Sequence, residues 1–198
     1  TLELQWERKA IPMKISVPKM TDIYISQIER ELQSSPGFDP DNYAIAANYL
    51  LQENYNLDKA LMWADQASEP PTGVKTFNSV TTKGNVLFKK GMTEDALSTY
   101  AGAMEMADAT PCTVHQLGRN LIGMGEKEMA LKVFKMNYDK NKGAWPTNVG
   151  MARGLSAVGK YDEALTYAQA ALVQAPDDMN KNSLTKIVEK LKAKQDFN

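Results

Sequence analysis

Residues 159–171 read GKYDEALTYAQAA. A glycine able to turn the chain is followed by two acids, then by Ala164 and further small and apolar residues at helical spacing. The same order recurs at 125–134 (GEKEMALKVF) and 91–100 (GMTEDALSTY), and in weaker form at 54–61 (NYNLDKAL). The shared alanines are Ala60, Ala96, Ala130 and Ala164, separated by 36, 34 and 34 residues. The two additional residues fall near the proline-rich Glu69–Gly73 loop. A fixed period of this length marks a repeat array, in which each unit is one supersecondary element that cannot bury its apolar face alone.

The repeated residues have the chemistry of paired helices. Gly84, Gly118 and Ala152 are small residues in the first helix of a pair, and the repeated alanines are their counterparts in the second. Small side chains at both places let two helices approach closely. Gly91, Gly125 and Gly159 stand where the first helix has to stop, because glycine takes the left-handed C-terminal conformation at little cost. Asp58, Glu94, Glu128 and Asp162 follow in the first turn of the second helix, where a carboxylate complements the helix dipole. Leu117, Leu121 and Met124 fall at i, i+4 and i+7, an apolar helical face.

On these residues the chain resembles the tetratricopeptide repeat (TPR) family over about residues 40–176. The fourth segment carries Trp145, Ala152, Leu155, Gly159, Tyr161, Ala164, Ala171 and Pro176 where the family has its signature types. The third carries Leu117, Gly118, Leu121, Gly125, Ala130 and Phe134, and the second Gly84, Leu87, Gly91, Ala96, Tyr100 and Ala103. The first has Ala47, Leu51, Leu57, Ala60 and Ala67 but lacks the turn glycine. The resemblance implies an all-α, right-handed superhelix of about four helix pairs that acts as a protein-interaction scaffold.

The flanks read differently. Residues 1–18 are expected to form a β-hairpin remnant or arm: Leu2, Leu4 and Trp6 alternate with polar residues, as do Ile11, Met13, Ile15 and Val17, with a turn at Arg8, Lys9 and Ala10. Pro12 suits an edge strand. This stretch resembles the end of a β-sandwich domain of unknown function in bacterial proteins, which helical repeats can follow. That resemblance implies a longer exported or periplasmic protein, and without it a cytoplasmic one is expected; the alternative to an interaction scaffold is a structural spacer or dimerisation arm of that larger protein, with a homodimer formed through the hairpin. Residues 19–39 are expected to hold a bridging or N-capping helix over 21–33, capped by Thr21 or Asp22, with Ile25, Ile28 and Leu32 on one face. Residues 177–198 form a C-terminal capping helix, apolar at Leu184, Ile187, Val188 and Leu191 and backed by lysines, as the end of an array requires.

Composition narrows the function classes. A net charge of −1 argues against general nucleic-acid affinity. No apolar run approaches the ~20 residues of a membrane-spanning helix. The single cysteine, Cys112, makes no internal disulfide, and one histidine with one cysteine supplies no usual zinc ligand set. The pair Cys112 and His115 reads as a small buried cysteine beside a surface histidine rather than as a nucleophile and its base. No phosphate-binding or nucleophile-elbow motif occurs, so neither an enzyme nor a cofactor or metal site is expected.

What remains is the concave face, which in the family is lined by the first helix of each pair. Carried over by position, the inward set is Tyr49, Gln52, Asn78, Thr81, Asn85, Phe88, Lys89, His115, Arg119, Ile122, Val149 and Arg153. Within it Asn85, Arg119 and Arg153 are spaced 34 residues apart, with Lys89 and His115 near them and Phe88 and Ile122 as apolar surface between. Some family members grip a partner's C-terminal carboxylate with lysine, asparagine and arginine on this face; His115 and Thr81 stand here where lysines would be expected. The expected partner is therefore an extended protein segment or peptide, acidic or bearing a carboxylate, since the arginine fork pairs with carboxylate twice.

Overall fold

The computed structural model describes residues 2–13 and 19–198. An antiparallel hairpin, β1 (Leu2–Trp6) and β2 (Lys9–Met13), is followed by helix α1 (Met20–Leu32) and a 3-10 turn at Ser35–Phe38. Four helix pairs follow: α2 (Pro40–Gln52) with α3 (Leu57–Ser68), α4 (Phe77–Lys89) with α5 (Thr93–Met104), α6 (Pro111–Gly123) with α7 (Lys127–Lys140), and α8 (Trp145–Ala157) with α9 (Tyr161–Val173). Helix α10 (Asp178–Lys192) packs on α9 and closes the end with Leu184, Val188 and Leu191 buried. This is the TPR-like α-α array that the period implies. No helix among the described residues is long and apolar enough to cross a membrane.

Each first helix starts on a polar cap or a proline. Asp39, Thr76 and Thr110 accept hydrogen bonds from the first-turn amides of α2, α4 and α6, and Thr76 and Thr110 complete reciprocal boxes with Ser79 and Thr113. Each ends on a left-handed residue: Gly91, Gly125 and Gly159 have φ of 82°, 86° and 79°. The first repeat lacks that glycine, and Asn54 replaces it at φ 49°. The hydrogen bonding is the same, Asn54 N to Leu51 O and Tyr55 N to Leu50 O, as for Gly91 and Met92. Asparagine is the side chain that tolerates this region best after glycine.

Between the helices of a pair the packing is a matched exchange of size. One position before the turn is small (Ala47, Gly84, Gly118, Ala152), and its partner four residues after the repeated alanine is Ala64, Tyr100, Phe134 or Ala168. Where the partner is aromatic the small residue is glycine. A β-carbon on Gly84 would lie 2.5 Å from the Tyr100 ring, and one on Gly118 would lie 2.4 Å from Phe134. Phe134 is also walled by Gly150 and Gly154 of the next repeat, so its ring joins the second half of the array into one core.

Three expectations are corrected. The hairpin turn is Glu7–Arg8, with Glu7 left-handed at φ 52°, rather than Arg8–Ala10; the resulting register pairs Leu2 with Met13 and Leu4 with Ile11. Leu2, Leu4, Trp6, Ile11 and Met13 then share one exposed face. Ile15 and Val17 lie outside the described residues. Helix α1 begins earlier than expected, on Lys19 at φ 55°, which leaves Asp22 in the first turn facing the helix dipole and the Tyr55 hydroxyl. Met124 caps α6 and is 37% exposed, unlike Leu117 and Leu121, because the helix ends before the i+7 position returns to the core.

Candidate functional site

Neighbouring first helices are not evenly spaced. α2 packs on α4 and α6 packs on α8, whereas α4 and α6 stand apart. The gap opens a cleft of about 710 Å³ across α2, α4 and α6. Its apolar lining comes from Leu51, Phe77, Leu117 and Met124. Its polar lining is dominated by carboxamides: Asn48, Gln52, Asn78, Asn85, Gln116 and Asn120. Among the described residues no acidic side chain lines it, and Arg119 is the one cation that does.

Side chains hold the two walls in place. The Asp108 carboxylate, from the segment between α5 and α6, accepts a hydrogen bond from Phe77 N at the start of α4 (2.8 Å). The Lys140 ammonium reaches back from α7 to the Met104 carbonyl and to Glu105. Within the cleft the Tyr100 hydroxyl, buried behind α4, donates to Asn85 Oδ1 at 2.8 Å. Burial, with the Glu126 carboxylate adding to it, holds that phenol well above its usual range, so it stays a donor. Asn85 is thereby oriented by its Oδ1, and its Nδ2 donates to no partner among the described residues. Asn48 Nδ2 donates to Thr82 Oγ1 (3.2 Å) and Gln116 Nε2 to Asn120 Oδ1 (2.8 Å). A carboxamide both donates and accepts, which is the combination needed to pair with the peptide groups of an extended chain.

The residues anticipated for the groove divide into those in this cleft and those elsewhere. Asn85 and Arg119 line it, together with Gln52, Asn78 and Thr81 from the wider inward set. Phe88 and Ile122 pack their rings and branches against the main core, and Lys89 lies 4.0 Å from Glu126. His115 is turned towards α8: its ring lies 5.4 Å from that of Phe134, and Nδ1 is 3.2 Å from the Pro146 carbonyl. Burial, then the positive charge of Arg153, lower its pKa to about 4 against the smaller opposing pull of that carbonyl. It is a neutral packing residue at neutral pH. Cys112, by contrast, is exposed, the reverse of the arrangement expected of the pair. Position 112 lies in the first, solvent-facing turn of α6, and three residues further on the helix faces α8.

Arg153 is occupied by the chain itself. Its Nη1 donates to Asn198 Oδ1 (3.1 Å), and its guanidinium carbon lies 5.3 Å from the centre of the Phe197 ring. Residues 196–198 thus cover the place where the inward set has its third polar position. The sequence reading missed Asn48, Gln116 and Asn120. They come together in one cleft because α6 stands off α4, a spacing that the repeat pattern does not announce. Their signal was present in composition, since seven carboxamides fall within these three first helices and six of them line the cleft.

No group of three or more histidine, cysteine, aspartate or glutamate side chains is placed to hold a metal among the described residues. No family model matches the chain, and no curated protein matches it. Among solved structures it is similar to YrrB, described as a TPR protein with an unusual peptide-binding site, at 20% identity and a TM-score of 0.45, covering 86% of this chain and 93% of that one. It is also similar to MamA at 16% identity and a TM-score of 0.46, covering 89% of this chain and 99% of that one.

Proposed function

We propose that this protein is an interaction scaffold that binds an extended segment of a partner protein along the α2–α4–α6 cleft. The observation that carries this reading is the lining of the cleft: six carboxamides over an apolar floor, with one cation. Carboxamides at successive turns can pair with main-chain N–H and C=O groups whatever the side chains. Leu51, Phe77, Leu117 and Met124 offer apolar contact to alternate residues of an extended chain. Arg119 supplies the one strong charge preference, for an aspartate, a glutamate or a terminal carboxylate in register with it. That is a narrower form of the acidic preference expected from Asn85, Arg119 and Arg153 together, because Arg153 is engaged by the tail.

The test is selection of binding peptides from a random displayed library on the immobilised protein, followed by anisotropy titration of a selected peptide. Replacing both Asn85 and Asn120 by alanine is expected to weaken binding by about 2 kcal/mol, the order of two lost hydrogen bonds. Arg119→Glu is expected to weaken only peptides bearing an acid. Selected peptides that bind both variants as well as the parent would refute the assignment.

A further inference from the structure

We infer that the concave side of α8 is a second, separate recognition site, for a short segment of acidic–aromatic–amide chemistry, and that Asp196-Phe197-Asn198 fills it in cis. Helix α10 ends at Lys192, and Lys194 takes the left-handed conformation at φ 55°, which turns the chain back across α8. Each of the three tail residues then makes a defined contact. Asp196 Oδ1 accepts a hydrogen bond from the buried Ser156 hydroxyl at 2.7 Å. Phe197 lies over the Arg153 guanidinium and packs at the edge of the main core. The Asn198 carboxamide works in both directions, accepting from Arg153 Nη1 and donating to the Arg153 carbonyl, each at 3.1 Å.

A side chain, a backbone carbonyl and a buried hydroxyl of one helix therefore read three consecutive residues of an irregular segment. That is how a groove reads a bound peptide, achieved within one chain. The fit leaves one donor unused: Arg153 Nε is buried and has no partner among the described residues. A partner carboxylate placed across the guanidinium fork would satisfy it, which the neutral Asn198 does not. The site therefore suits a partner segment in which an acid stands near an aromatic residue, and the tail is the resident competitor. A tethered competitor acts at an effective concentration of roughly millimolar, so the site in the intact chain is closed to weak ligands and open to strong ones. This reading does not depend on the α2–α4–α6 cleft.

The test uses the full chain, labelled with 15N, as the parent and as the variant Asp196→Ala/Phe197→Ala, whose changes lie outside every helix. The probe is a synthetic peptide of sequence AKQDFN. The amides around Arg153 and Ser156 in the variant are expected to shift on titration, while the parent needs about ten-fold more peptide for the same shift because its own tail competes. A peptide with alanine for the aspartate and phenylalanine is expected to leave α8 unmoved. In the unligated parent the amides of residues 196–198 are expected to be as ordered as α10. An α8 that does not respond in the variant, an equal response in parent and variant, or a freely mobile tail in the parent would each overturn the proposal. The cleft amides of α4 and α6 appear in the same spectra, so the two sites are scored independently.

Discussion

Gly118 has no room for a methyl group. A β-carbon there would lie 2.4 Å from Phe134, whose ring is fixed by Gly150 and Gly154 on its other side. Gly118→Ala is therefore expected to destabilise the fold by about 1–3 kcal/mol, the usual cost of overpacking a filled core, as read by urea denaturation. The sequence alone marked Gly118 and Gly84 as sites of close approach, but it did not say that the visitors are Phe134 and Tyr100, because that pairing is made across a turn. His115 gives the second residue-scale prediction. Its pKa is lowered in the folded chain to about 4 from an ordinary 6.5, so the unfolded chain binds its proton more readily. Stability from this residue is complete above pH 6.5 and is lost as pH falls towards 4, by about 3 kcal/mol at most. A His115→Gln variant should lack that part of the pH dependence; parallel stability–pH curves for the two proteins over this window would show that the ring is not held neutral by burial.

At the scale of elements, the turns between paired helices carry the register. Gly125 sits at φ 86° with open space around it, so the objection to a side chain is conformational rather than steric. Gly125→Ala should cost about 1 kcal/mol, whereas Gly102→Ala, within α5 and equally open, should stabilise by about 0.5–1 kcal/mol because glycine disfavours a helix interior. Thermal denaturation of the two variants reads opposite signs; a shared sign would mean that the left-handed turn is not what Gly125 supplies. The helix pairs were legible in the sequence because the punctuation repeats: glycine, acid, alanine, at one period. The first repeat was less so, since Asn54 does the work of glycine in the left-handed turn and an asparagine does not announce it. Helix α1 was placed correctly in kind but not in its start, because Lys19 is not a capping residue by type and only the backbone shows its role. The hairpin turn was misplaced for the same reason: Glu7 is an ordinary side chain in an unusual conformation.

For the whole molecule, the decisive feature is the unequal spacing of the first helices. A regular array would stack α6 on α4 as it stacks α4 on α2, and the carboxamides of both would pack away. Here Lys140 of α7 reaches the end of α5 and joins the two halves of the array, Asp108 holds the connecting segment on the start of α4, and the first helices α4 and α6 are left apart. Spacing of this kind depends on contacts thirty or more residues apart, which a repeat pattern does not encode. The pattern gave the side of the array on which to look, and placed Asn85 and Arg119 there. It could not show that Arg153 is covered by the tail or that His115 turns away. The measurement that bears most directly on the scaffold reading is chemical-shift mapping of a library-selected peptide on the 15N-labelled chain. Shifts concentrated on Asn48, Asn85, Gln116 and Asn120, with side-chain amides moving along with the backbone, are the predicted result. Shifts confined to the hairpin or to the outer helices α3, α5 and α7, with the cleft carboxamides unmoved, would contradict it.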